Sequence, residues 1–144
     1  MNSDAAEIYR LIVEIRRAFH TLANAGDALH ADLGVTSAMR AQMEYLSDHG
    51  PATVPDIARA KSVSRQHIQQ LVNALEASGL VRFSDNPRHR RSPLVALTDK
   101  GTAAFAEIRQ REAAVLGDLA VRLDGAASGK AADTIARLRA ALAG

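Results

Sequence analysis

Two short stretches carry side chains whose types and spacing suit a polyanion. In the first, residues 65–73 read RQHIQQLVN. At 100° per residue, Ile68, Leu71, Val72 and Leu75 define one apolar stripe. Gln66, Gln70 and Asn73 then point roughly the opposite way, flanked by Arg65, His67 and Gln69. A merely solvated helix usually shows Lys/Glu pairs there, not amides. Amides bond adenine N6 and N7 bidentately in a major groove, and Arg65 suits guanine or a phosphate. Ser64, with the free N–H groups of a helix start, suits a phosphate as well. The second stretch, Arg88-His89-Arg90-Arg91, is the densest positive cluster in the chain. Arginine grips phosphate bidentately and enters a narrow minor groove. The plain alternatives are a polar helix face and a charged loop, each simply solvated.

The elements that would position these residues follow from periodicity and caps. Ser3 can cap a first helix running to about Ala25, with Ile8, Ile12, Ile15, Phe19 and Leu22 on one face and Gly26 permitting a stop. Thr36 opens a second helix with Met39, Met43 and Leu46 inward, closed by Gly50-Pro51. Thr53 opens a short third over Val54–Ala60, with Pro55 and Asp56 in its first turn. Ser64 caps the fourth, and Gly79 stands where a left-handed residue ends it. The turn Lys61-Ser62-Val63 gives helix-turn-helix spacing.

The period then changes. Residues 80–84 and 94–97 read as two strands joined by a loop too long for a two-residue hairpin. Pro93 suggests that the second starts as an edge strand. Thr98 caps a fifth helix carrying Phe105, Ile108, Val115, Leu116, Leu119 and Leu123 largely on one side. Residues 125–129 read as a loop, and a last helix places Ala131, Ile135, Leu138 and Leu142 on a stripe. A small central domain does not obviously cover the apolar stripes of the terminal helices. They suit helix-on-helix association between two chains.

The chain has 144 residues, enough for one core without disulfides or metals. With no cysteine, thiolate ligands, thiol nucleophiles and thiol redox switches are excluded. Aromatics at 3% with no Trp disfavour a stacking platform for single strands or sugars. The net charge of +2 is unevenly spread. Residues 1–49 carry four Lys/Arg and seven Asp/Glu, residues 50–101 eight and four, and residues 102–144 six and five. The basic excess therefore lies in the middle, where the two stretches are. Charged residues interrupt the first twenty positions, so no apolar run there suits a signal peptide or membrane span. The chain reads as soluble and cytoplasmic.

These residues together carry a resemblance. Ser64-Arg65 leads into Ile68, Leu71-Val72, Leu75-Glu76 and Gly79-Leu80-Val81. Pro87-Arg88, Arg90-Arg91-Ser92, Val95, Leu97-Thr98 and Gly101 follow. The series resembles the MarR family of winged-helix transcription regulators over nearly the whole chain. The resemblance implies a mainly α fold with a small β-hairpin wing. Residues 36–101 would form a winged helix-turn-helix, flanked by dimerisation helices in residues 1–35 and 102–144. It further implies a bacterial homodimer on a palindromic operator in double-stranded DNA, acting as a repressor. The fourth helix would lie in the major groove and the wing in the minor. Many relatives lose DNA affinity on binding small phenolic or aromatic anions. Arg16 and His20, four residues apart on the first helix, are the candidate grip for such a ligand. The family's wing usually has Asp two residues before its tip arginine, where this chain has His89.

Rival readings have less support. Histidines 20, 30, 49, 67 and 89 form no i, i+4 pair, so a metal-sensing repressor would need carboxylates brought in by the fold. No G-x-S-x-G, phosphate loop or H-E-x-x-H occurs, so no catalytic residue, cofactor or metal is expected. A winged helix serving as a protein-interaction module would show an apolar or mixed-charge face on the fourth helix instead of amides.

Overall fold

The computed structural model describes residues 2–144. It contains six α-helices and a three-stranded antiparallel sheet. Two compact units divide within the fifth helix, one ending at Glu107 and the other beginning at Ile108.

In the first unit, α1 spans Ser3–Leu29. Its cap is Asn2 rather than Ser3: the Asn2 side chain accepts from the Ala5 amide at 2.7 Å. The helix also runs through Gly26 instead of stopping there. A Cβ at Gly26 would run into the Ser37 hydroxyl, so this glycine permits a close crossing. Ser37 then bonds α1 directly. Its hydroxyl donates to the Ala23 carbonyl at 2.8 Å and its amide to Asp27 Oδ1 at 2.7 Å. α2 spans Ser37–His49, capped as expected by Thr36, whose hydroxyl accepts from the Met39 amide. Its buried face is Met39, Gln42, Met43 and Leu46, and Gly50 ends it at φ 77°.

α3 spans Val54–Lys61 and α4 spans Arg65–Ala77. Thr53 caps α3 by accepting from the Asp56 amide. The Thr53 hydroxyl, and then its amide, hydrogen-bond the Asp56 carboxylate and hold it below the usual carboxylate range, with Arg59 adding to the effect. Between the two helices Ser62 takes the left-handed conformation at φ 55°, the one non-glycine among the described residues to do so. This conformation costs an L-residue about 1–2 kcal/mol. The Ser62→Val variant is therefore expected to lower the unfolding midpoint by several degrees. Ser62→Gly is expected to unfold at or slightly above the wild-type midpoint. Equal melting of all three chains would contradict the strained turn.

The sheet is β1 (Ala52–Thr53), β2 (Val81–Ser84) and β3 (Leu94–Leu97), in the order β1-β3-β2. Ala52 faces Val95 and Val81 faces Leu97. β3 is thus central, not the edge strand that Pro93 suggested. Pro93 precedes the strand, so its missing N–H lies outside the ladder. Gly79 is left-handed at φ 75°, and the Gly79 and Leu80 amides close the end of α4 on the Glu76 and Leu75 carbonyls. The core includes Met43, Ile57, Ile68, Val72, Leu75 and Val95, all completely buried. α5 spans Asp99–Ala120, and the Thr98 hydroxyl caps it by accepting from the Gly101 amide at 3.0 Å.

In the second unit, α6 spans Gly125–Ala143. Residues 125–129, expected as a loop, are its first turn. Asp124 accepts from the Ala126 amide at 3.0 Å, and the Ser128 hydroxyl donates to the Asp124 carbonyl at 2.8 Å. That cap and the neighbouring alanines outweigh the two glycines. Ile135 and Leu138 are half-buried, while Leu142 is 76% exposed. No described helix is long and apolar enough to cross a membrane.

Candidate nucleic-acid interface

The three completely buried residues of α4, Ile68, Val72 and Leu75, fix which way the helix turns. Leu71 lies at the margin of that stripe and is half-buried. The polar face consequently points to solvent: Arg65, Gln66, His67, Gln69, Gln70 and Asn73 are all exposed. Ser64 caps the helix, its hydroxyl accepting from the His67 amide at 3.0 Å. The first turn of α4 therefore presents its free amides beside Arg65. One pair on the face is already ordered. Gln69 donates from Nε2 to Asn73 Oδ1 at 2.8 Å, an i, i+4 bond along the helix. That bond uses part of the Asn73 acceptor and does not engage the Gln69 side-chain carbonyl or the Asn73 amino group.

β2 and β3 hold the arginine loop between them. Arg88, His89, Arg90 and Arg91 are exposed along it. The fold brings the two sequence stretches together in a groove of about 340 Å³. Arg65, Gln66 and Gln69 of α4 line one side and Arg91 of the loop lines another, with Val54 and Phe83 among its apolar lining. Two arginines separated by 26 positions in sequence thus border one concavity. Sequence periodicity alone placed each on its own element and gave no distance between them. Phe83 and Val54 were not anticipated as part of this surface, since both read as ordinary strand and helix residues.

Asn86, also not anticipated, ties the base of the loop. Its Nδ2 donates to the Ser92 carbonyl at 3.0 Å, and its Oδ1 accepts from the Arg88 amide at 3.1 Å. The Asn86-Pro87 dipeptide is the signal that could have found it, because Asn before Pro marks the start of a turn.

Arg16 and His20 lie elsewhere. Both are exposed on α1 and neither lines this groove. The His20 ring meets Phe19 edge-on at a centroid distance of 5.7 Å. Among the described residues, no group of three or more His, Cys, Asp or Glu comes together to hold a metal ion.

Comparison with known proteins bears on this arrangement. The model of the MarR family matches residues 33–92, which contain α2, α3, α4 and the arginine loop. An uncharacterised protein of Mycobacterium tuberculosis is 35% identical over 136 residues, covering 94% of each chain. The HTH-type transcriptional repressor NicR of Pseudomonas putida is 35% identical over 72 residues, which is 50% of this chain and 46% of NicR. Among solved structures, the MarR family transcription regulator SP03579 is 28% identical with a TM-score of 0.84, covering 97% of this chain and 95% of its own.

Proposed function

The chain belongs to the MarR family of DNA-binding transcription regulators, and on that premise we propose that it is a homodimeric repressor of a palindromic operator. The observation that carries the reading is the shared groove. Gln66 and Gln69, from an amide-rich helix face suited to base edges, border the same concavity as Arg91 of an arginine loop suited to phosphates. α4 enters the major groove, with Gln66, Gln70 and Asn73 toward bases and Ser64 and Arg65 at the backbone. His67 and Gln69 flank them. Arg88, His89, Arg90 and Arg91 form the wing and follow the minor groove. Residues 36–101 supply this DNA-binding region, and residues 1–35 and 102–144 supply the dimerisation helices.

Repression fits a protein that occupies its operator by default and leaves when a ligand binds. The ligand class is a small aromatic or phenolic anion. Arg16 and His20 offer it a cation and an imidazole four residues apart on an exposed helix. The test of the whole reading is selection of bound sequences from a random duplex pool. A palindrome with half-sites about one helical turn apart supports DNA recognition and the two-fold axis together. Enrichment of no sequence would reject it.

The division of labour on DNA makes a second expectation. Arg91→Ala should weaken binding to every duplex. It should also flatten the slope of log K against log salt by roughly 0.9 for each phosphate no longer neutralised. Gln70→Ala should instead narrow the gap between selected and random DNA by about 1–3 kcal/mol, the discrimination that one bidentate pairing with a base provides. If Gln70→Ala leaves that gap intact and Arg91→Ala leaves the salt slope unchanged, the roles are assigned wrongly.

A further inference from the structure

We propose that Asn86 is the positioning residue that sets the wing for DNA, acting through the arginines whose side chains it does not touch. This rests on the DNA-binding reading above. Position 89 holds a histidine, so no carboxylate at that place offsets the neighbouring arginines. The loop between β2 and β3 carries three arginines in four positions, and their mutual repulsion favours a spread of open conformations.

Against that repulsion stand four hydrogen bonds, and Asn86 takes part in three. Its side chain spans the neck of the loop, donating to the Ser92 carbonyl and accepting from the Arg88 amide. Its own carbonyl accepts from the His89 amide at 3.2 Å. The fourth bond runs from the Ser92 amide to the His89 carbonyl, also 3.2 Å. His89 is therefore held by its backbone, with its side chain exposed. Asn86 is half-buried while all four tip residues are exposed, so the clasp lies on the protein side and leaves the cations facing outward. Residues 86–92 are thus ordered before DNA arrives. The entropy that a loose, charged loop would lose on binding is already lost on folding.

An asparagine suits this place because its side chain donates and accepts at once. Alanine removes both bonds and leaves the backbone able to keep its turn. The experiment measures the affinity of the full chain for a random-sequence duplex at fixed salt, in a double-mutant cycle. Asn86→Ala should weaken binding about tenfold, the factor expected when two ordinary hydrogen bonds stop ordering the loop. In an Arg88→Ala/Arg90→Ala/Arg91→Ala background the same substitution should cost less than twofold, because no wing cation is left to position. Backbone order parameters at Arg88, His89 and Ser92 in the free protein should fall with Asn86→Ala, while the unfolding midpoint stays within a few degrees. Equal losses in both backgrounds would overturn the proposal, as would Asn86→Ala binding within twofold of wild type. A wild-type chain that binds no duplex would instead reject the DNA-binding reading itself, and this inference with it.

Discussion

Deleting residues 129–144 is expected to turn the proposed dimer into aggregates or an unstable monomer, and to abolish tight operator binding. The reason lies in what the single chain leaves uncovered. α1 buries none of its residues, although it presents Ile8, Tyr9, Phe19 and Leu22 to solvent, the last two each 70% exposed. α6 likewise buries none. Leu116, Val121 and Leu123, in the second unit, are all more than half exposed. So much apolar surface exceeds what monomeric domains usually show. Covering a handful of such side chains per chain contributes on the order of 10 kcal/mol, against association costs of about 4–15 kcal/mol. The deletion removes most of α6, including Leu142 at 76% exposure, and with it part of the apolar surface that a dimer would cover. Sedimentation velocity at micromolar concentration checks both chains. A monodisperse monomer of the full chain would contradict the dimer. A soluble truncated monomer that keeps tight operator binding would show that α6 is dispensable.

Gly101→Ala should be strongly destabilising. A Cβ at Gly101 would stand 2.9 Å from the Leu80 carbonyl carbon and closer still to its oxygen. Neither atom can retreat easily. The Leu80 carbonyl accepts from the Thr98 amide at 3.1 Å, and the Thr98 hydroxyl donates to the Gly79 carbonyl at 2.6 Å. Lys100 adds a bond from Nζ to the Ser78 carbonyl at 2.8 Å. The start of α5 is thereby locked to the end of α4, backbone against backbone. Overpacking of this kind costs about 1–3 kcal/mol and should lower the melting temperature by several degrees. Gly117→Ala is the matched control on the same helix. Nothing lies within 4 Å of a Cβ there, so that variant should gain up to about 1 kcal/mol from helix propensity. Thermal unfolding of the two variants beside wild type decides the matter, and similar melting of both would remove the close-approach argument.

Gly101 also shows how sequence and structure divide the account. The Leu97-Thr98-x-x-Gly101 series is part of what made the family legible, yet its spacing does not say why a glycine is needed. The crowding that demands it comes from Leu80, 21 positions earlier.

The sequence by itself determined the six helices, most of their caps, the helix-turn-helix, the apolar stripe of α4 and the arginine loop. Thr36, Thr53, Ser64 and Thr98 cap as their types and positions imply, because a cap is settled within about three residues. Periodicity likewise needs only neighbouring turns, so the exposed amides of α4 were readable directly. Only the tertiary structure decided what depends on partners far along the chain. β1 is two residues long, too short to show a pattern, and exists because Ala52 and Thr53 find Val95 and Leu94. That pairing makes β3 central despite Pro93. Gly26 stays inside α1 because Ser37 bonds across the crossing and offsets the glycine's weak helix preference. The same holds for the interface: Arg65 and Arg91 border one groove because the sheet and α4 share a core. Local preferences are worth tenths of a kcal/mol to about one, and they prevail where nothing opposes them. Where a long-range contact opposes them, its geometry decides.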